Sequence, residues 1–274
     1  EANAIDAETT GIVTAAISNT DIATLRTLTG SGNAYDTTVT DSLVNAQDLN
    51  DLDAKTTVNV SATNTLTLTG TAAAISTAIS ASTINVAADV GVIIDAGSAQ
   101  ASNLNTINDN TTKAVGATQV TGLTGSLSDV NRAYAAGAAG TISGLGNESV
   151  VLTDSAIGDA ADLNSLDSRT TGAINAGSVQ SISGVLSTVH TALTSSGISG
   201  LNSANVSITD SASSILSVRA LQASTFDRAG NKLNYAVYFV GNSSDNSFTG
   251  LGLADVLNGG GGADSLNGGG GADT

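Results

Sequence analysis

The sequence predicts a repeat solenoid of short parallel β-strands and short helices, followed by a glycine-rich roll of parallel strands. Three observations predict it. A Thr-Thr phrase recurs at 9–10, 56–57, 111–112 and 170–171. Short apolar stripes at helical spacing follow marker glycines. The segment from residue 241 to 274 divides into nines.

The repeat is read first because it decides the architecture. Four segments open alike: IDAETTG at 5–11, LDAKTTV at 52–58, INDNTTK at 107–113 and LDSRTTG at 166–172, with a degraded fifth, LQASTFD, at 221–227. TLTG, GLTG and SISG end at Gly70, Gly125 and Gly184, at one constant distance from Thr57, Thr112 and Thr171, the second Thr of each pair. The first copy is atypical, because its TLTG ends at Gly30, farther from Thr10. VTDS, IIDA, LTDS and ITDS place Asp41, Asp95, Asp154 and Asp210 in register. Residues 1–225 thus divide into about four units, 5–51, 52–106, 107–165 and 166–220.

Each unit is expected to hold two strand-then-helix coils. Ala72, Ile75 and Ile79 align with Leu127, Val130 and Tyr134, and with Leu186, Val189 and Leu193. That spacing makes one apolar stripe on a helix of under three turns. Thr71 and Ser126 stand at N-cap positions. A weaker stripe follows the VVLTDS-type strands: Leu49/Leu52, Leu104/Ile107, Leu163/Leu166 and Val218/Leu221. Helices this short do not hold in water alone, so each coil must bury its stripe against its neighbours. Ala, Gly, Ser and Thr dominate, which predicts a thin core and tight turns. The recurrent Asp residues, often beside Ser, read as backbone caps or turns rather than paired catalytic carboxylates.

Five of the seven aromatics, Phe226, Tyr235, Tyr238, Phe239 and Phe248, fall in 226–248. LNYAVYFV at 233–240 is a strand pattern. Residues 226–240 are read as a junction that seals the last coil. No equivalent element is evident at the other end, where EANAIDAETTG enters the repeat almost at once.

From Gly241 the nines are GNSSDNSFT, GLGLADVLN, GGGGADSLN and GGGGADT. The pattern G-G-x-G-x-D-x-U-x is complete in 259–267, and 268–274 fits as far as it goes. Leu253 replaces a glycine and Asn246 an aspartate in the earlier units. Phe248, Leu257 and Leu266 occupy the apolar position, expected to point inward once per turn. This segment resembles the calcium-binding nonapeptide repeats of the RTX, or hemolysin-type, family. The resemblance implies a calcium-binding parallel β-roll in which alternate turns share a side. Asn246, Asp255, Asp264 and Asp273 would supply side-chain oxygens, with Asp255 paired to Asp273 and Asn246 to Asp264. Gly259, Gly260, Gly262, Gly268, Gly269 and Gly271 would shape the turns and present carbonyls. Ca²⁺ takes six to eight hard oxygen ligands, and glycine lets carbonyls converge on it at φ > 0. Metal binding would then drive folding of the segment. A flexible linker would carry no periodic aspartate.

Composition bounds the rest. The chain has 274 residues, 24 acidic against 8 basic, net charge −16, and no Cys, Met, Pro or Trp. Such charge disfavours nucleic acid and anionic membranes and favours cations. Without cysteine there are no disulfides or thiolate metal sites. No apolar run is long enough to span a membrane, and no signal peptide is visible. The first residue is Glu1 and the last falls within a nonapeptide, so the chain reads as a processed form or a fragment. The RTX resemblance implies type I secretion from a Gram-negative bacterium. The Ala/Thr/Ser/Asn-rich repeats are similar to tracts in cyanobacterial RTX surface proteins and S-layer proteins.

No enzyme is expected. His190 aligns with Asn131 and Ser76 on a polar helix face, and no GxSxG, HExxH or phosphate loop occurs. The phrase N-x-S/T at Asn59, Asn110, Asn147, Asn205 and Asn242 is accounted for by chance in a chain so rich in these residues. TLTLT at 65–69 is the one tidy Thr array, too little for an ice-binding face. The expected function is a calcium-dependent, self-assembling subunit of a surface layer or extracellular filament. The alternatives are the stalk of a secreted RTX adhesin, then a fragment of an RTX enzyme or toxin.

Overall fold

Short apolar alternations followed by capped helical stripes become short strands, of which β10 is the longest at six residues, and helices of up to twelve. The computed structural model describes residues 1–202, 204–208, 237–240, 245, 247–250 and 254–274. Asp210, Val218, Leu221, Phe226, Tyr235 and the degraded fifth repeat lie outside the described residues. The chain forms two units: Glu1–Leu123 with Arg132–Leu145, and Thr124–Asn131 with Gly146–Thr274.

The first unit runs α1 (Ala2–Glu8), β1 (Thr14–Ala16), α2 (Ile22–Leu25), β2 (Ala34–Asp36), β3 (Leu43–Asn45), α3 (Ala46–Asp53), β4 (Val60–Ala62), β5 (Thr67–Gly70), α4 (Ala72–Ser80), β6 (Ile84–Val86), β7 (Gly91–Ile94), β8 (Gly97–Gln100), α5 (Ala101–Asn110), β9 (Val115–Gly116) and β11 (Ile142–Ser143), with β10 (Val120–Gly125) and α6 (Leu127–Ala138) shared across the division. Its main sheet has the order β11-β9-β7-β5-β3. Leu43 pairs in parallel with Thr67, Thr67 with Gly91, Val92 with Val115 and Val115 with Ile142. Each strand therefore pairs with the equivalent strand of the next coil.

The second unit continues with β12 (Ser149–Leu152), β13 (Ala156–Ile157), α7 (Ala160–Asp167), β14 (Ile174–Asn175), β15 (Ser181–Gly184), α8 (Leu186–Thr194), β16 (Ile198–Ser199), β17 (Asn205–Ile208), β18 (Val237–Val240), β19 (Ser247–Thr249), β20 (Val256–Asn258) and β21 (Ser265–Asn267). Val150 pairs with Ile174 and Ile174 with Ile198, so the spacing between coils is constant here. A second row runs β13-β15-β17-β18-β20. β18, the described part of the predicted aromatic junction, has a parallel partner on each side, β17 and β20, and so carries the pairing into the glycine-rich segment. The architecture is α/β-like, with parallel strands and several short helices.

The helical stripes are the core. Ile75, Val130 and Val189 are buried, as are Leu49/Leu52, Leu104/Ile107 and Leu163/Leu166. Burying such a side chain contributes about 1.5–3 kcal/mol. The hydroxyl of Thr71 accepts from the Ala74 amide, and Ser126 caps through the Asp129 amide, as predicted. Ser76 is buried, however, because α3 and α5 pack on both sides of α4.

The Thr pairs join consecutive coils. The Thr56 hydroxyl donates to the Tyr35 carbonyl at 2.8 Å, Thr111 to Val90 at 2.6 Å and Thr170 to Glu148 at 3.3 Å. The same hydroxyls accept from the amides of Val58, Lys113 and Gly172. The second threonine donates its amide to the preceding coil: Thr57 to Asn33, Thr112 to Ala88, Thr171 to Gly146. An asparagine in the LNxL phrase does the same between helices. Asn50 donates to the Ala74 carbonyl at 2.9 Å and Asn164 to the Thr188 carbonyl at 2.8 Å.

Two of the recurrent aspartates, Asp41 and Asp154, cap helices, though not the helix that follows them. Asp41 accepts from the Ile22 amide at 2.8 Å, and Asp154 from the Leu127 amide at 2.7 Å. Each closes the first turn of a helix one coil earlier. Asp21 caps α2 locally through the Thr24 amide at 2.8 Å, and hydrogen bonding from the Thr24 side chain, then from its amide, lowers its pKa from the ordinary carboxylate value. A depressed carboxylate contributes stability above its ordinary pKa, and loses it as pH falls through the folded value. The protection of the Thr24 amide from hydrogen exchange, measured against an unstructured amide at the same pH, should therefore fall in that acid window, and Asp21→Asn, which keeps the cap without titrating, should hold it constant.

One expectation is corrected here. The chain does not enter the repeat bare: α1 precedes β1, anchored where Asn3 bonds Thr27 and Thr29 and where Asp6 accepts from Asn33. Behind it Tyr35 is fully buried, with its phenol pKa raised by burial and by the Asp6 charge, against a hydrogen bond from Asn33.

Candidate metal centre

The nine-residue unit produces one three-residue strand and one turn. β20 and β21 each begin just after an aspartate, Asp255 or Asp264, and end at an asparagine followed by glycine. The Asn258 side chain accepts from the Gly260 amide and Asn267 from the Gly269 amide, both at 3.0 Å. Gly260, Gly262, Gly269 and Gly271 have φ of 81°, 110°, 88° and 122°. Only glycine takes these values without strain, so four of the six predicted glycine positions are backbone requirements.

Strands here pair across two nonapeptides: Tyr238 with Val256, and Ser247 with Ser265. Alternate turns therefore stack. The step brings Asp255 and Asp273 together, with the Asp255 amide donating to the Asp273 carboxylate at 2.9 Å. Asp255 itself is fully buried. Asn246 lies outside the described residues. Asp245, next to it, receives the Ala263 amide on its carboxylate at 2.7 Å. Sequence reasoning passed over Asp245 because it sits one place ahead of the aspartate column. The reversal DN in GNSSDNSFT was the available signal.

The remaining glycines answer a steric demand. The carboxylates of Asp264 and Asp273 fill the space that a Cβ on Gly259 or Gly268 would take. At Gly250 that space receives both an Asp255 carboxylate oxygen and the Gly268 carbonyl oxygen. Gly250, Gly259 and Gly268, each opening its nonapeptide, are thus the cradles for the aspartates that follow in the same units.

The donor set is all oxygen, carboxylate with backbone carbonyl, which suits Ca²⁺ in type. Burying a carboxylate needs charge compensation, and Asp255 is buried beside a second carboxylate. Among the described residues no three His, Cys, Asp or Glu side chains gather closely enough to hold a metal ion, so carbonyls would have to complete any shell. The apolar column turns inward only in part: Phe248 is buried, Leu257 half-buried and Leu266 39 % exposed. Among the described residues β21 has a strand partner on one side only, β19, and its leucine is exposed.

A second acidic cluster lines a cleft of about 480 Å³ with Asp154, Asp159, Asp162 and Asn131. Asp154 and Asp159 cap α6 and α7 there, so their carboxylates serve the backbone. His190 is half-buried on α8. No helix among the described residues is long and apolar enough to cross a membrane. Comparison with protein-family models, curated proteins and solved structures finds no match to this chain.

Proposed function

We propose that this chain is an extracellular structural protein of RTX type, a calcium-dependent, self-assembling subunit of a surface layer or filament. The observation that carries the reading is the two-nonapeptide step that sets Asp255 against Asp273, with glycine cradling each carboxylate. The tail coils as a β-roll, and Asp255, Asp264 and Asp273 hold calcium with carbonyls of the positive-φ glycine turns. The repeats ahead of it coil as a solenoid, whose stacked parallel strands suit a load-bearing role more than a catalytic one.

Self-assembly is supported by β1. Among the described residues it pairs with β2 alone. The Val13 carbonyl and the Ile17 amide face β2, so Thr14 and Ala16 turn their backbone groups to the opposite edge. A strand edge of this kind is a template for another chain. Calcium would assist by screening or bridging chains of net charge −16.

Electron microscopy of the purified chain with calcium tests the reading. Filaments or lattices are expected. Ala16→Pro, which removes one edge donor, should suppress them while leaving calcium binding intact. Dispersed rods at high concentration in calcium would replace this reading with that of an adhesin stalk.

A further inference from the structure

The chain contains two Asn-Gly dipeptides, Asn258–Gly259 and Asn267–Gly268, at the same place in successive nonapeptides. Each asparagine is exposed. Each accepts, on Oδ1, the amide of the residue two further on, at 3.0 Å. We propose that Asn258 and Asn267 are sites of spontaneous modification, closing to succinimides and opening to aspartate and isoaspartate in the native chain.

The chemistry needs only water. The Gly259 amide nitrogen attacks Asn258 Cγ, losing its proton to hydroxide. A C–N bond forms, negative charge gathers on Oδ1, and the carbonyl re-forms as ammonia leaves. Water then opens the five-membered imide at either carbonyl, giving aspartate or isoaspartate. Two features of the fold favour this path. Glycine presents a nitrogen with no neighbouring Cβ in the way. The Gly260 amide already points at the oxygen where charge develops, which is the arrangement that stabilises an oxyanion. The nine-residue period duplicates both features at Asn267, Gly268 and Gly269.

The chain supplies its own control. Asn175 makes the same turn, accepting the Gly177 amide at 2.9 Å, but is followed by alanine. Asn45 accepts the Gln47 amide at 2.9 Å and is also followed by alanine. Aspartate at 258 or 267 keeps an acceptor for the turn and adds one negative charge. Isoaspartate lengthens the main chain at the last residue of β20 or β21, where Asn258 pairs with Val240 and Asn267 with Thr249.

The test is peptide mapping of the intact, folded chain held warm at neutral and mildly alkaline pH. The readouts are the mass gain of replacing an amide NH₂ by OH and the isoaspartate content. Conversion is expected at Asn258 and Asn267, rising with hydroxide concentration, and at least about tenfold faster than at Asn175 or Asn45. Asn258→Ser with Asn267→Ser should abolish the signal from these peptides. Two outcomes overturn the proposal. One is equal rates at all four asparagines. The other is no conversion in the folded chain while the excised 254–274 peptide converts, which would mean that the fold shields the bond.

Discussion

Gly172→Ala lowers the stability of the second unit by about 3 kcal/mol, the upper part of the usual range for overpacking. Gly172 closes the Thr170–Thr171–Gly172 phrase, donating its amide to the Thr170 hydroxyl at 3.0 Å. A Cβ there would overlap the main-chain carbonyl of Glu148. That carbonyl is fixed from the other side, since Thr170 donates to it, and the Thr171 amide bonds Gly146 close by. Neither backbone can yield without parting two coils. Gly158 is the matched comparison: its φ is ordinary and an added Cβ meets nothing within 4 Å. Gly158→Ala should be neutral or gain up to about 1 kcal/mol by restricting the unfolded chain. Urea unfolding reads both as shifts of midpoint at constant slope. Equal midpoints for the two variants would mean that the coils do not meet at Gly172 as described.

Asp273→Ala and Asp264→Ala each weaken calcium binding at least roughly tenfold, by comparison with the loss seen even for outer-shell groups of metal sites. Asp273→Ala should also uncouple the stacked turns, because the Asp273 carboxylate holds the Asp255 amide. His190→Ala, on α8, should leave the titration unchanged. Calorimetric titration measures all three. Circular dichroism and amide exchange over 254–274 should show ordering by calcium and its loss in chelator. A normal titration for Asp264→Ala, or a tail indifferent to calcium, would remove the metal assignment.

Much of the fold was legible because it depends on spacing within one coil. The stripes Ile75/Ile79 and Leu163/Leu166 and the Thr71 and Ser126 caps are local patterns, and local patterns survive in a single sequence. What did not show is what one coil does to the next. Asp41 and Asp154 read as caps, yet nothing in VTDS or LTDS says that the helix capped lies a whole coil back, at Ile22 or Leu127. Nothing in LNDL or LNSL says that the Asn50 and Asn164 side chains bond the following helix. Ser76 shared a polar column with His190 but is covered by flanking helices. In the candidate metal centre the Asp255–Asp273 pairing was what the RTX resemblance implied, and the two residues do meet. Asp245 was not implied, because it breaks the nine-residue period by one place.

The caps lent backward by Asp41 and Asp154 set an order of events. A chain emerging N-terminus first, from a ribosome or a narrow channel, presents α2 and α6 before the carboxylates that close them. Each helix has a local cap in Asp21 or Ser126 but takes its remaining first-turn bond from a stretch of chain that has not yet appeared, so completion travels along the molecule one coil behind its leading end. A chain released after Leu152 would contain all of α6 and none of its cap from Asp154.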